Sequence, residues 1–238
     1  MTQRSQGPTA ADLAAQEPGE FWEDLYRRRA DDLAAWGVRV NPVLAQVADA
    51  LPAATALDLA CGTGGDTLWL ARRGRRVTAV DIASTAVRRV AERAAAEGLG
   101  DLVTTVRHDL ARTFPAGSFD LVSAQYFHTP YDLPRGPIPR TAAQALRPGG
   151  RLLVVDHASI APWSWNQDPD TRFPSPQEVY DGMGLPAAGW TVERADAPRR
   201  TATGPDGRNA TVTDHVLLVR RTAGRGRRPG AARRPPAP

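Results

Sequence analysis

The sequence predicts an α/β fold: an open, doubly wound, mostly parallel sheet that ends in an antiparallel hairpin. Three observations predict it. Short apolar runs alternate with amphipathic helical stretches from residue 55 to residue 156. Glycines stop two of those helices, at Gly74 and Gly98. From Trp190 onward the rhythm changes to two β-like runs around a strong turn signal. Strand and helix in alternation build a parallel sheet covered on both faces, with right-handed crossovers.

The elements follow in order. Residues 1–19 are rich in small and polar residues and are expected to be disordered. Phe21, Leu25, Leu33 and Trp36 recur at helical spacing, with Trp22 and Tyr26 beside them. Val43, Leu44, Val47 and Leu51 form a second amphipathic helix, started by Asn41-Pro42 and stopped by Pro52. Strands are expected at 55–60, 76–80, 103–107, 119–124 and 151–156. Helices are expected at 65–73, 85–97 and, more weakly, 138–146. Residues 190–195 and 211–220 form the hairpin, joined through Gly204-Pro205-Asp206-Gly207. The tail 223–238 is Arg/Pro/Gly/Ala-rich and should be disordered.

Composition narrows the function. The chain has 238 residues and 42% hydrophobic content, which suits one α/β domain with trimmings. No apolar run reaches the ~20 residues of a membrane span. The first twenty residues hold no apolar block, so no secretory signal is expected. The single cysteine, Cys61, excludes an internal disulfide framework and suits a reducing cytoplasm. The net charge of +4 rests on five arginines of the tail; without them it would be −1. A nearly neutral body argues against a nucleic-acid footprint on the folded domain. His108, His157 and His215 show no metal-ligand spacing with Cys61.

The chemistry centres on Asp58-Leu59-Ala60-Cys61-Gly62-Thr63-Gly64-Gly65-Asp66, where the first strand meets its helix. Open α/β sheets bind ligands at the carboxyl ends of their strands. Gly62 and Gly64 allow a sharp turn and close approach of the backbone, although a tight turn without a ligand has the same signature. Asp81 ends the second strand and can accept from a ribose diol. Asp109 follows the third strand and can accept from an adenine amino group. Each carboxylate alone also fits a strand-end cap, but together they stand at successive strand ends. A dinucleotide fingerprint needs a third glycine where this chain has Thr67, and Asp66 would repel a pyrophosphate. A zwitterionic, sulfonium-bearing adenosine tolerates that carboxylate.

With these residues in order, the segment 55–156 resembles the class I S-adenosylmethionine-dependent methyltransferases. The loop from Ala56 to Gly64, the Val80-Asp81 strand end, His108-Asp109, Ser118 to Val122, and Leu146-Arg147-Pro148-Gly149-Gly150-Arg151-Leu152 carry the likeness. Phe21-Trp22-Glu23, Tyr26-Arg27, Trp36-Gly37 and Asn41-Pro42 look like the thiopurine and tellurite-resistance-like branch. The likeness covers about residues 20–220, so residues 20–222 are expected to be one domain with 20–52 as helices over the cofactor site. It implies a Rossmann-like seven-stranded sheet of order 3-2-1-4-5-7-6. It also implies S-adenosyl-L-methionine as cofactor. Asp58 and the backbone of Ala60, Cys61, Gly62, Thr63 and Gly64 would face the methionine end. Asp81, with Ile82 beside it, would take the ribose, and Asp109 with Leu110 would frame the adenine. Gln125 and Trp22 complete the implied contacts. Ala60 departs from the glycine that the family often carries there.

Methyl transfer from a sulfonium needs mainly proximity and alignment, which lower the barrier by ~7–11 kcal/mol. A base is required only when the acceptor must lose a proton. Gln125-Tyr126-Phe127-His128 follows the fourth strand, and His128 is the candidate base, with a structural lining role as the alternative. The Asn/Asp-Pro-Pro-aromatic segment of nucleobase amino-methyltransferases is absent, which lowers a nucleobase amine as acceptor. Trp22, Tyr26 and Trp36 either close over the cofactor or anchor helices. His157, Trp163 and Trp165 either line the acceptor pocket or pack. Arg199 and Arg200 fit a solvated surface better than an acceptor contact. The reading is a methyltransferase acting on a small molecule, in the cytoplasm and with no membrane partner. A non-catalytic cofactor-binding module is the alternative, and a nucleic-acid or protein substrate ranks below both.

Overall fold

Five parallel strands carry the fold because β1 is apolar on both faces and so must lie centrally. The computed structural model describes residues 15–28, 39–131, 133, 136–164, 166–204 and 207–222. β1 (Thr55–Leu59) is buried from Ala56 onward and pairs in parallel with β2 (Arg76–Asp81) and β4 (Phe119–Gln125). β3 (Val103–Arg107) flanks β2, and β5 (Leu146–His157) flanks β4. β8 (Asn209–Arg221) lies antiparallel on β5, and β6 (Trp190–Asp196) closes the edge. The order is 3-2-1-4-5-8-6, which is the expected order once strands are counted along this chain.

Helices cover both faces. α2 (Pro42–Asp49) and α3 (Gly65–Arg72) bury Leu44, Leu70 and Ala71 against Ala56, Val77, Leu121 and Leu153. α5 (Pro137–Gln144) and α6 (Pro176–Met183) bury Ala142, Ala143 and Met183 against Leu57, Leu59, Val122 and Leu152. Each fully buried leucine contributes about 1.5–3 kcal/mol. α4 (Ser84–Ala96) packs Val90 beside Ala79 and Cys61. α1 (Pro18–Arg28) has no buried residue and is tied to α4 by polar contacts. The α4 N-cap, Ala83, offers no side chain, and Glu23 of α1 replaces it. Its carboxylate accepts from the Thr85 N–H at 2.9 Å and from the Thr85 hydroxyl. Burial pushes the Glu23 carboxyl up, but these bonds and Arg27 outweigh it and hold it below the ordinary value.

Several expectations need correction. An eighth strand, β7 (Arg199–Thr203), pairs with the first half of β8, so the turn at Gly204 joins β7 to β8 rather than β6 to β8. Its pattern Arg-Arg-Thr-Ala-Thr has no apolar alternation, since none of its residues is fully buried and no apolar face is required. α1 begins at Pro18, inside the segment expected to be irregular, since Pro18 suits a first helical turn and Glu20 complements its dipole. The helical spacing expected through Trp36 runs into residues outside the described set after Arg28, as do most of residues 1–19 and all of 223–238. β5 begins at Leu146, five residues early. Its register slips from Phe119↔Leu146 to Leu121↔Arg151, so Arg147–Gly150 bulges around Asp120. A Cβ at Gly150 would stand 2.9 Å from the Arg147 carbonyl and 3.0 Å from that of Phe119, which explains the second glycine of the turn. α6 was not expected at all. The Ser175/Glu178 capping box that starts it is fully formed.

Candidate functional site

The carboxyl ends of β1, β2 and β4 finish level with one another, because Leu59 pairs with both Val80 and Ala124. A cavity of about 900 Å³ opens there. That volume is near the top of the roughly 300–1,000 Å³ range of ligand pockets, leaving room for two reactants side by side.

The glycine loop forms one wall. Asp58 is 2% exposed, and its carboxylate accepts from the Thr67 hydroxyl of α3 at 2.5 Å. This bond explains why Thr67 stands where a dinucleotide fold has glycine. Asp66 accepts the Asn41 N–H at 2.7 Å, joining the loop to the start of α2. Burial raises the Asp58 carboxyl, and the nearby Asp66 raises it further; burial raises Asp66 as well. Asp81 accepts the Gly62 N–H at 3.0 Å and the Ala83 N–H at 2.9 Å. Burial outweighs those bonds and lifts it to about 6. Ala60 adopts φ +54°, a left-handed conformation that costs about 1–2 kcal/mol in a residue with a Cβ and suits the family's usual glycine. Gly64 does not line the cavity. It has φ +85°, and a Cβ on it would stand 2.7 Å from Cγ2 of Val90, so its role is close packing of the loop on α4.

The remaining expected contacts converge on the same space. Cys61, Gly62, Thr63, Ile82, Asp109, Leu110, Gln125, Trp22 and His128 all line the cavity. Asp109 accepts the Ala111 N–H at 3.0 Å and has Arg112 at 3.3 Å, so part of its acceptor capacity serves its own turn. Gln125 donates to Ser123 at 2.7 Å, and its Oε1 is buried with no hydrogen-bond partner among the described residues. Tyr26 hangs from α1 over the loop: its hydroxyl lies 3.2 Å from where a Cβ on Gly62 would stand. Burial, with Asp81 and Cys61 close by, pushes the Tyr26 hydroxyl far up, so it stays protonated.

The far wall is built by residues distant in sequence. His128 Nε2 lies 3.3 Å from Asp156 Oδ1, and the His157 N–H points at the same nitrogen at 3.4 Å. The His157 ring stacks between Tyr126 (4.5 Å) and His128 (5.1 Å). Burial and the adjacent His128 lower His157 to about 4, so it is neutral near pH 7. Tyr126 has φ +49°, a strained conformation held by its surroundings. Its hydroxyl donates to the buried Asp214 at 3.0 Å and accepts from Arg200 at 2.8 Å. Arg200 also binds Asp214 and lines the cavity. The solvated surface expected for Arg200 is therefore corrected: Asp214 and Tyr126 draw it inward. Trp163 lines the cavity as well, whereas Trp36 and Trp165 lie outside the described residues.

The donor set fits an S-adenosylmethionine-like ligand. Asp66 and Asp81 bring negative charge to the loop, Asp58, whose carboxyl burial pushes well up, brings a further acceptor that a bound cation would ionise, and Gln125 adds a buried acceptor. A pyrophosphate would be repelled there, whereas a cationic ligand rich in N–H and O–H donors is matched. Among the described residues no three of His, Cys, Asp or Glu gather as a metal site. No described helix is long and apolar enough to cross a membrane.

Residues 56–150 match the methyltransferase domain family. The chain is 36% identical over 128 residues to nocamycin O-methyltransferase of Saccharothrix syringae, covering 51% of this chain and 45% of that protein. It is 39% identical to a ubiquinone biosynthesis O-methyltransferase of Xanthomonas campestris pv. campestris, over 49% of this chain and 48% of that one. The chain thus spans about half the length of the curated relatives it matches. The structure of TehB from Haemophilus influenzae shares the fold, with a TM-score of 0.61 at 18% identity over 84% of this chain and 67% of that one.

Proposed function

We propose that the protein is an S-adenosylmethionine-dependent methyltransferase whose acceptor is a small molecule with an ionisable hydroxyl. The observation that carries this reading is the pairing of His128 with Asp156 at the far wall of a cavity whose near wall is the carboxylate-lined glycine loop. Asp58 and Asp66 hold the amino-acid end, Asp81 and Asp109 hold the ribose and the base, and Gln125 takes a donor near the reacting centre. The bound cofactor supplies a methyl group on a sulfonium, already activated for in-line transfer.

The residues of this chain do the rest. The loop and strand ends fix one reactant, and Phe127, His128 and Trp163 border the space for the other. The His157 N–H points at Nε2, so in the tautomer that accepts it Nε2 is the basic nitrogen, 3.3 Å from Asp156 Oδ1. The acceptor O–H proton passes to that nitrogen as the oxygen gains the methyl group. Asp156 steadies the imidazolium that results. Neutral His157 packs flat on the ring without competing for the proton. Relatives named as O-methyltransferases support an oxygen acceptor. The lone buried Cys61 suits a reducing, cytoplasmic setting.

An acceptor panel of phenols, enols, carboxylic acids and thiols, read by S-adenosylhomocysteine release, tests the proposal. Release with hydroxyl acceptors and its loss in His128→Ala are expected. Cofactor binding with no release across the panel would instead favour a non-catalytic binding module.

A further inference from the structure

A second cavity, of about 420 Å³, lies against the first between the sheet and the helices α5 and α6. Phe127 and Leu133 line both spaces. Asp156 lines only the second, while its partner His128 lines only the first. The walls of the second cavity are the core itself: Leu59 and Leu152 from the sheet, Val179 from α6. Interiors of proteins are close-packed, and voids larger than a water molecule are few. An apolar space of this size, lined by core side chains, forfeits their contacts unless something fills it. Its rim carries the exposed Arg172–Glu178 ion pair, so the apolar part is interior and the polar part faces water.

We propose that this second cavity receives an apolar arm of the methyl acceptor, so the acceptor is an amphipathic molecule with its hydroxyl at His128 and a hydrocarbon or aryl body between α5 and α6. The inference rests on the methyltransferase reading for the identity of the occupant, and on the cavity alone for its chemistry. Because Phe127 and Leu133 are shared walls of the two spaces, an arm that passes them belongs to the acceptor rather than to a separate ligand. The His128–Asp156 contact sits at the junction, where the hydroxyl of such a molecule must lie. Helix contact explains the geometry. A Cβ on Gly136, at the start of α5, would stand 2.5 Å from the Gly182 carbonyl of α6, so the two helices touch at one end and leave the space beside them.

The test uses the full chain and a neutral fluorophore, N-phenyl-1-naphthylamine, with and without saturating S-adenosylhomocysteine. One probe site per chain, retained when S-adenosylhomocysteine is bound, is expected. Val179→Trp should fill the space and weaken the probe by about tenfold or more, and Val179→Phe by about threefold, because a filled cavity admits no ligand without strain. S-Adenosylhomocysteine affinity, measured by calorimetry, should stay unchanged in both. Where the tryptophan variant fails to fold, the phenylalanine variant is read alone. Absence of probe binding, displacement of the probe by S-adenosylhomocysteine, or unchanged probe affinity in the folded variants would overturn the proposal. Failure of the methyltransferase reading would show separately, as absence of S-adenosylhomocysteine binding to the unmodified chain.

Discussion

Replacing Asp81 separates what the carboxylate does for the loop from what it does for a ligand. It is 4% exposed and accepts backbone N–H bonds from Gly62 and Ala83. Asp81→Asn keeps the shape but turns an NH2 towards one of those two donors. Leaving one buried donor unsatisfied costs about 1–3 kcal/mol, and Asp81→Ala, which abandons both, costs more. A ligand hydroxyl on the carboxylate makes a charge-assisted bond of about 1.5–3 kcal/mol, which sets a 10- to 100-fold loss of affinity. Burial already lifts this group to about 6, so at pH 8 it is ionised and the full charge is at stake. Calorimetry with S-adenosylhomocysteine at pH 8 should therefore rank the dissociation constants as Asp81→Ala above Asp81→Asn above the unmodified chain. An affinity within about twofold in folded Asp81→Asn would refute a ligand contact at Asp81.

Three other outcomes are expected. Gly64→Ala places a methyl 2.7 Å from Val90 Cγ2 at φ +85°, and should cost about 2–4 kcal/mol, lowering Tm by about 5–15 °C. Val90→Ala should recover part of that loss in thermal melts; no recovery would exclude the packing explanation. Asp81 is raised from 3.8 to about 6, so the native chain keeps this proton to higher pH than the unfolded chain does. Its contribution to stability is full below about pH 4 and is lost as pH rises through about 6, while affinity for the cofactor rises over the same window. Melts and calorimetry from pH 4 to pH 8 check both slopes, and a flat affinity would remove the carboxylate from the binding equilibrium. Asp156→Asn should lower kcat by about 10- to 100-fold while leaving S-adenosylhomocysteine affinity intact, since it acts through His128. An unchanged kcat would show that His128 needs no orienting partner.

The parts of this molecule that were legible in the sequence are those written locally. The β-α rhythm, Asn41-Pro42 at the start of α2, the glycine loop and Asp81 at a strand end each follow from neighbouring residues. Thr67 and Asp66 were visible only as departures from a dinucleotide pattern. The structure gives their positive roles, as the donor to Asp58 and the acceptor from Asn41. What was not legible depends on pairing across the sheet. His128 meets Asp156 because Gln125 pairs with Val155, a register that no local signal fixes. Tyr126, Arg200 and Asp214 come together through β7, a strand without apolar alternation. The capping box at Ser175 was a readable signal for α6. The loop preceding it carried too little apolar periodicity to call attention to that helix.

The central claim is that S-adenosylmethionine binds in the large cavity at the strand ends, with its reacting methyl facing His128. The most direct test is a crystal structure of the chain grown with S-adenosylhomocysteine. The account predicts the ribose hydroxyls on Asp81, the adenine beside Asp109 and Leu110, and the sulfur near Gln125 and His128. Density for the ligand elsewhere, or a well-ordered cavity without it at saturating concentration, would contradict the account.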